Sequence, residues 1–203
     1  DTAVVITLDG ADEDGDTLVY SIVSNASNGT TSISGSSLTY TPSTNWNGTD
    51  TFTYKANDGT SDSNISTVTV TVSAVNDVPV TTSGSLTLSE DTSSQITLNV
   101  EDVDSSTVSA SVVSQPSNGT VSIASGTFLA TYSPNLNFNG VDSFSFIATD
   151  GISFSNESTI SVTVTAVNDA PVANNVSGST NENRSIQLNI TLDATDIDGD
   201  TLT

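Results

Sequence analysis

The stretch Thr159-Ile160-Ser161-Val162-Thr163-Val164-Thr165 alternates hydroxyl side chains with β-branched apolar ones. Successive residues of a β-strand face opposite sides, so this period of two predicts one buried face and one solvated face. The same alternation is present at residues 67–72 and, with aromatic residues, at 51–54 and 143–146. No stretch has a convincing helical period. The sequence therefore predicts an all-β fold.

The composition of the 203 residues excludes several classes of function. The chain has 24 acidic and 2 basic residues, a formal charge of −22, and neither Cys nor His. Thiolate or histidine metal sites, disulfides and Ser-His triads are therefore impossible. Lys55 and Arg184 alone cannot form a surface for nucleic-acid phosphates. No apolar run is long enough for a membrane helix, so we expect no membrane insertion of this segment and expect cations as its strong partners.

An internal repeat of about 92 residues organises the chain. The sequence AVNDVPV at 74–80 returns as AVNDAPV at 166–172, and the segment 46–52 returns at 138–144. The segment 12–18 returns at 196–202, which is two repeats later. A unit of this length has the size of one immunoglobulin-like sandwich.

This repeat divides the chain into three predicted domains. Residues 1–77 form a repeat that lacks its first strand, residues 78–169 a complete repeat, and residues 170–203 the first two strands of a third. The complete repeat has seven expected strands, at 81–88, 94–100, 107–113, 120–123, 128–132, 142–147 and 158–167. Asn-Gly, Ser-Gly and Asp-Gly pairs between them favour hairpin turns, which is typical of a Greek-key sandwich.

The incomplete ends have two interpretations that the residues leave open. The chain is either a window from a longer periodic array or a subunit whose ends are completed by strands from neighbouring chains.

Acidic residues recur at three positions of each repeat. The pattern D-x-D-G-D occupies 12–16 and 196–200, after the second strand, and is reduced to Asp102 and Asp104 in the middle repeat. An Asp-Gly pair follows the sixth strand at 58–59 and 150–151, and an Asn-Asp pair ends each repeat at 76–77 and 168–169. Because consecutive strands of a sandwich run antiparallel, the loops at these three positions lie at the same end. We therefore expect them to meet at the junction between consecutive repeats.

Carboxylates that converge in this way need a counter-charge, which Lys and Arg cannot supply here. Ca²⁺ accepts six to eight oxygen ligands with tolerant geometry, whereas Mg²⁺ requires stricter octahedral geometry and ranks second. An EF-hand is excluded, because a loop that begins at Asp12 would need Glu where Val23 stands. The competing interpretation is that these are ordinary acidic turns that favour solubility. We interpret Asp50 and Asp142, beside Asn-Gly pairs and away from the junction, as turn residues.

These motifs together resemble the cadherin-like tandem repeats of large bacterial surface proteins. The resemblance rests on A-V-N-D-[VA]-P-V, on D-x-D-G-D-T-L at residues 12–18 and 196–202 and on [WF]-N-G-x-D-[ST]-F at residues 46–52 and 138–144. It implies immunoglobulin-like sandwiches with calcium at their junctions, in adhesins or other exported extracellular proteins. Ala74 and Ala166 replace the Asp that begins the cadherin linker, and the L-D-R-E motif is missing. These departures imply fewer or weaker ions per junction.

The resemblance, carried over position by position, implies three sets of metal ligands. The junction of repeats 1 and 2 would use Asn76, Asp77, Asp102, Asp104 and Asp150. The junction of repeats 2 and 3 would use Asn168, Asp169, Asp196 and Asp198, together with Glu90 from the loop after the first strand of repeat 2. The open end of repeat 1 would offer Asp12, Asp14 and Asp58.

Three functions are compatible with this sequence. The first is a structural spacer of an adhesin or surface fibre that calcium makes rigid, and the second is a homophilic or sugar-binding adhesion module. Tyr20, Tyr40, Trp46 and Tyr54 could stack on a sugar, but Trp46 aligns with Phe138 and Tyr54 with Phe146, which indicates core packing. The third is a carboxylate-dependent glycosidase, which we do not expect, because the acids recur at equivalent turns as structural sites do.

Overall fold

A computed structural model describes residues 2–188 and 194–198. Every regular element in this part of the chain is a β-strand, so it contains no helix that could cross a membrane. The chain divides into two compact units, Asp1–Asp77 and Val78–Thr203.

The first unit has six strands in two sheets. Their bounds are β1 (Val4–Thr7), β2 (Val19–Ser24), β3 (Gly29–Ser34), β4 (Ser37–Pro42), β5 (Gly48–Asn57) and β6 (Ser66–Val72). One sheet has the order β1-β4-β3 and the other β2-β5-β6, with antiparallel pairs throughout. Leu38 and Tyr40 of the first sheet and Phe52 of the second are buried in one core between them. The alternation in each strand supplies these inward side chains.

The second unit has the same plan with additional strands. Their bounds are β7 (Val80–Thr82), β8 (Gly84–Ser89), β9 (Ser94–Thr97), β10 (Asn99–Glu101), β11 (Ser109–Ser114), β12 (Gly119–Ile123), β13 (Leu129–Pro134), β14 (Gly140–Thr149), β15 (Ser158–Thr165), β16 (Val172–Ala173) and β17 (Ala194–Thr195). The sheets are β11-β14-β15-β8 and β12-β13-β9, with the short pairs β10-β7 and β16-β17. The pair of β15 and β8 is parallel. The predicted all-β sandwich is confirmed.

Two of the seven predicted strands of this unit are interrupted. The first divides at Ser83, because β7 pairs with β10 whereas β8 pairs with β15 in the other sheet. The second divides at Leu98, whose buried side chain joins the core and whose backbone amide donates to the carbonyl of Phe128. Periodicity predicts which face a residue takes, but it does not predict where a strand changes sheets.

The core of the second unit is built from alternate residues of β13, β14 and β15. Tyr132, Phe144, Phe146, Ile160 and Val162 have almost no exposed surface. Leu88 of β8 is buried in the same cluster.

The interpretation of Asp50 and Asp142 as turn residues is wrong, because both lie inside strands and are buried. The carboxylate of Asp142 accepts hydrogen bonds from the backbone amides of Ser117, Asn118 and Ser143 and from the Tyr132 hydroxyl. The carboxylate of Asp50 has the equivalent partners, Ser27, Asn28, Thr51 and Tyr40. These two residues therefore hold a loop to the sandwich in each unit.

These contacts change the acidity of both partners. Burial alone would raise the pKa of Asp142, but the hydrogen bonds from Asn118, Ser143, Ser117 and Tyr132 outweigh burial and lower the pKa below its ordinary value. Burial, together with the hydrogen bond to Asp142 and its negative charge, raises the pKa of Tyr132 to about 12. The pKa of Asp50 is lowered and that of Tyr40 raised for the same reasons.

The start of the predicted third repeat forms one short antiparallel pair. Val172 of β16 is opposite Thr195 of β17, and Ala173 is opposite Ala194. Residues 189–193 and 199–203 of this predicted repeat, which include Asp200 of the acidic motif, lie outside the described residues.

Candidate metal centre

The acidic loops after the second strand of each predicted repeat share one local geometry. The Oδ1 atom of Asp12 accepts hydrogen bonds from the amides of Asp14 and Asp16, each at 3.0 Å. Asp102 does the same with Asp104 at 3.1 Å and with Ser105 at 2.6 Å. Asp196 accepts from the amide of Asp198 at 3.0 Å. The first Asp of the motif therefore stabilises its own loop through one oxygen.

The Asp-Gly loops after β5 and β14 repeat this arrangement. Asp58 Oδ1 accepts from the amides of Thr60 and Ser61 at 2.6 and 2.7 Å. Asp150 Oδ1 accepts from Ile152 and Ser153 at 2.7 and 2.6 Å. In each loop a glycine with positive φ follows the Asp, Gly59 at 98° and Gly151 at 92°.

Four acidic residues of the second unit act on Asp169 through their negative charges. We call the set of five the seam cluster: Glu90, Asp91, Asp169, Asp196 and Asp198. The backbone amide of Asp169 donates to Asp198 Oδ2 at 2.6 Å. This hydrogen bond joins the end of the complete repeat to the acidic loop that follows β17. Asp196 and Glu90 are near enough to act on Asp169 through their charges. The joint role of Glu90, Asn168, Asp169, Asp196 and Asp198 as metal ligands stays a prediction.

Glu90 is held in a fixed position despite its charge. Its side chain is buried, Oε1 accepts from the amide of Val167 at 2.6 Å, and Oε2 accepts from Asn139 Nδ2 at 3.4 Å. Its own amide donates to the Thr165 carbonyl at 3.0 Å. These bonds attach the loop after β8 to the segment that leaves β15.

Asp91 is the member of the seam cluster that sequence reasoning missed. It has a positive φ of 57° and is exposed, and its Oδ1 accepts from the amide of Asn137 at 2.8 Å. The sequence feature that could have identified Asp91 is its position next to Glu90, since two adjacent acidic residues follow the predicted first strand.

The negative charges around Asp169 disfavour its ionised form. Partial burial and the negative charges of Asp198, Asp91, Glu90 and Asp196 raise the pKa of Asp169 above its ordinary value. Asp169 Oδ2 is buried and accepts no hydrogen bond. A buried acceptor without a partner is costly, and a divalent cation would satisfy both the oxygen and the charge.

The residues around the cluster offer the oxygen ligands that a hard cation prefers, but the acidic side chains alone are too few to complete its coordination. Asp169 and Asp196 line a cavity of about 570 Å³, together with Asn137 and Thr195. Within residues 2–188 and 194–198, no three acidic side chains are grouped closely enough to hold a metal by themselves. Ca²⁺ also accepts carbonyl, amide and water oxygens, which would complete the coordination.

Asn76 and Asn168, the two predicted amide ligands, have the same local contact. Asn76 Nδ2 donates to the Asp77 carbonyl at 2.8 Å and Asn168 Nδ2 to the Asp169 carbonyl at 2.9 Å. Each side chain therefore orders the Asn-Asp pair that ends its repeat.

The ligands predicted for the first junction belong to different units. Asn76 and Asp77 end the first unit, whereas Asp102, Asp104 and Asp150 lie in the second. Asp102 Oδ2 is a second buried oxygen without a hydrogen bond. The joint role of these five residues stays a prediction.

The open end of the first unit contains a smaller acidic cavity. Asp12 and Asp58 both line its volume of about 220 Å³, next to Asp9 and Asp62. Asp62 is paired with Lys55. The structure thus brings Asp12 and Asp58 to one cavity, while Asp14 is exposed and does not line it.

The sequence matches two families. Residues 1–71 match the model of the family described as "Bacterial Ig domain", and residues 76–166 match that of the "Bacterial cadherin-like domain". Residues 1–71 are thus similar to bacterial Ig domains and residues 76–166 to bacterial cadherin-like domains, in tandem. Such domains are typically non-enzymatic, extracellular surface modules, and cadherin-like domains generally bind calcium. No match is found among the curated proteins.

Solved cadherins share the fold of this tandem. It is similar to human mucin-like protocadherin EC1-2, with 15% identity over 82% of this chain and 99% of that one and a TM-score of 0.50. The protocadherin gammaB4 extracellular domain gives 16% identity over 80% and 30% of the two chains, with a TM-score of 0.54. Mouse cadherin-23 EC22-24 has 21% identity over 74% of this chain and 53% of that one, with a TM-score of 0.51. The tandem spans only 26% of an endo-fucoidan hydrolase chain that it also matches.

Proposed function

We propose that the tandem is a structural spacer of an extracellular bacterial adhesin or surface fibre, and that Ca²⁺ at its repeat junctions makes it rigid. The observation that carries this proposal is the seam cluster, in which Asp169 Oδ2 is buried without a hydrogen bond and the carboxylates of two other segments, 90–91 and 196–198, act on Asp169. A bound Ca²⁺ would supply the positive charge that joins these segments.

The ligand roles follow from which oxygens the protein already uses. Asp198 Oδ2 accepts the hydrogen bond of the Asp169 amide, so Asp198 Oδ1 faces the ion in our proposal, together with Asp169 Oδ2. Asp196, which lines the same cavity as Asp169, is the third ligand. Glu90 has hydrogen bonds on both oxygens, and Asp91 Oδ1 has one. We therefore assign Glu90 chiefly to positioning the linker, and the first three residues to direct ligation.

The expected stabilisation is modest at external calcium concentrations. Extracellular calcium modules commonly have a Kd of about 10⁻⁴–10⁻³ M, so calcium at about 1 mM would occupy half or more of such sites and cytosolic calcium would not. A ligand that binds only the folded, docked state at a one- to tenfold excess over its Kd stabilises that state by about 0.4–1.4 kcal/mol.

Calorimetric titration of Ca²⁺ into the whole chain tests the site. We expect Asp169→Asn and Asp198→Asn each to remove one binding event and the calcium-dependent rise in the melting temperature of the second unit. Glu157→Gln is the matched control, because Glu157 is an exposed acid of the same unit outside the acidic clusters. Equal stoichiometry and affinity in the wild type and Asp169→Asn would contradict the proposed site.

Small-angle scattering tests the spacer role separately. The maximum dimension of the chain should increase and become better defined with calcium than with a chelator. An unchanged dimension, with binding intact, would leave a calcium site but rule out its stiffening role.

The sugar-binding alternative gains no support from the aromatic residues. Tyr40 is completely buried and stacks on Phe52, with ring centroids 6.0 Å apart. Tyr20 and Tyr54 pack against each other and against the core of the first unit. The packing of Tyr54 agrees with the core role that its alignment with Phe146 indicated.

A further inference from the structure

The second unit pairs the strand through which the chain enters its larger sheet with the strand through which the chain leaves it. β8 and β15 run parallel, and the residues from Gly84 to Ser89 lie opposite those from Ile160 to Thr165 in continuous register. The chain reaches this pair from residues 1–77 and continues beyond it into residues 166–188. Tension along the chain therefore pulls β8 from its amino-terminal end and β15 from its carboxy-terminal end.

The two points at which tension acts lie at opposite ends of the pair. In a parallel pair the two amino-terminal ends are adjacent, so a pull on the start of β8 and on the end of β15 slides the strands past each other. The evenly spaced hydrogen bonds between them then carry the force together. A pair that is pulled apart from one end opens one hydrogen bond at a time instead. Because resistance to forced unfolding is governed by the unfolding rate, this geometry slows unfolding under tension.

Side chains continue the attachment of β15 beyond both ends of β8. Before β8, Ser83 Oγ accepts a hydrogen bond from the amide of Thr159 at 3.1 Å. After β8, the amide of Glu90 donates to the Thr165 carbonyl at 3.0 Å, and Glu90 Oε1 accepts from the amide of Val167 at 2.6 Å. The segment from Thr159 to Val167 is therefore held to the chain that enters the sheet, from one residue before β8 to one residue after it.

The core side of this pair excludes water. Leu88 of β8 is buried, and Ile160, Val162 and Val164 of β15 are 1%, 0% and 3% exposed. On the other side the Thr165 hydroxyl donates to the Leu88 carbonyl at 3.2 Å. A hydrogen bond in surroundings of low polarity is stronger than one in water, and here no solvent on the core side can replace it as it lengthens.

We infer that the second unit is a force-bearing module. Its shear clamp consists of β8, β15 and the contacts of Ser83 and Glu90 at the two ends of β8, and it resists tension along the chain. The inference deepens the proposed spacer role, because a spacer transmits tension, but it does not depend on calcium. Glu90 acts in the clamp through the hydrogen bonds that its carboxylate accepts and not through its charge.

Single-molecule stretching of the whole chain in the presence of a chelator tests the direction of loading. Handles at the two termini load the shear clamp in shear. The sequence contains no Cys, so the exposed positions of Thr82→Cys and Glu157→Cys provide handles beside the adjacent starts of β8 and β15. We expect the second unit to unfold at least about tenfold faster at the same force with these handles than with terminal ones. Equal rates in the two geometries would contradict the shear clamp.

The length released identifies which unit has unfolded. Each unfolded residue adds at most about 3.6 Å, and the strands from β7 to β15 span residues 80–165, whereas those of the first unit span residues 4–72. The protein with both cysteines, pulled from its termini, is the control for the substitutions and should unfold as the wild type does.

Two substitutions test the ends of the shear clamp under terminal pulling. Glu90→Ala removes the acceptor of the Val167 amide and should accelerate unfolding of the second unit by about tenfold, as for the loss of a hydrogen bond to a charged group. Ser83→Ala removes the acceptor of the Thr159 amide and should accelerate it by about threefold. Both ends should respond, because shear loads them together. Glu90→Gln keeps an acceptor oxygen without the charge and should restore most of the resistance.

Val121→Ala is the control for a general loss of stability. Val121 is buried in the same core but belongs to β12, in the sheet that contains neither β8 nor β15. It should lower the melting temperature of the second unit as Glu90→Ala does, yet leave the unfolding rate under tension nearly unchanged. If Val121→Ala accelerates forced unfolding as much as Glu90→Ala, or if neither end substitution accelerates it, the inference is wrong. Calcium-dependent lengthening of the chain with such a result would leave the spacer proposal standing and overturn the shear clamp alone.

Discussion

The hydroxyl of Tyr132 donates a hydrogen bond to Asp142 Oδ2 at 3.0 Å, and this contact connects the two sheets of the cadherin-like domain. Tyr132 belongs to β13 in one sheet and Asp142 to β14 in the other. The Ig-like domain has the same contact between Tyr40 and Asp50 at 3.2 Å. Two units that match different family models thus make the same polar contact at the same place in the sandwich.

Removal of the hydroxyl tests what this contact contributes. Tyr132→Phe leaves the buried Asp142 with one donor fewer, and we expect unfolding of the cadherin-like domain to require about 2 kcal/mol less, as for hydrogen bonds to charged groups. Calorimetry of the whole chain measures the change. Unfolding of the Ig-like domain, followed by the fluorescence of Trp46, is the internal control and should be unchanged. A decrease of less than about 0.5 kcal/mol in the unfolding free energy of the cadherin-like domain would indicate that the tyrosine contributes only packing.

The lowered pKa of Asp142 makes stability dependent on pH at the acidic end. A carboxyl whose folded pKa lies below its unfolded pKa stabilises the fold at pH values above about 4 and loses this contribution as the pH falls through the folded pKa. Asp142→Asn should therefore destabilise the domain at pH 7 by about 3 kcal/mol, since the amide cannot accept all four hydrogen bonds. The difference from the wild type should shrink below pH 4. A constant difference from pH 7 to pH 2 would contradict the ionised state of Asp142.

The raised pKa of Tyr132 predicts the opposite trend at the alkaline end. Because the folded pKa of about 12 exceeds the ordinary value of 10, the neutral tyrosine stabilises the fold below pH 10, and this contribution disappears as the pH rises toward 12. Absorbance titration at the phenolate band should show one tyrosine near pH 12 that is missing in Tyr132→Phe. Its titration near pH 10 in the folded protein would disprove the assignment.

Gly119 is required by a close approach between strands. A Cβ at this position would lie 2.5 Å from the Ser133 carbonyl oxygen and 2.8 Å from the Tyr132 hydroxyl. We expect Gly119→Ala to cost at least about 2 kcal/mol, because backbone must move. Gly126→Ala is the matched comparison: its Cβ would meet nothing within 4 Å, so only its φ of 71° opposes the change, at about 1 kcal/mol. Thermal unfolding should rank the two variants in this order.

Strand positions could be predicted from sequence because one residue in two must be apolar to cover the core. Ile160, Val162 and Val164 show this directly, since each is buried and each alternates with an exposed Ser or Thr. The division of the first strand at Ser83 could not be predicted in this way. A strand that changes sheets keeps its alternation, and its partners β10 and β15 are distant in sequence.

The sequence by itself determined the all-β architecture and the spacing at which acidic pairs recur, because both depend on local patterns of side-chain type. Only the tertiary structure decided what each carboxylate does. Asp142 and Asp169 are chemically identical, yet Asp142 is surrounded by donors from three segments, whereas Asp169 lies among four other carboxylates and has a buried oxygen without a donor. Burial and partners set the energy of a charge, and both come from residues that only folding brings together.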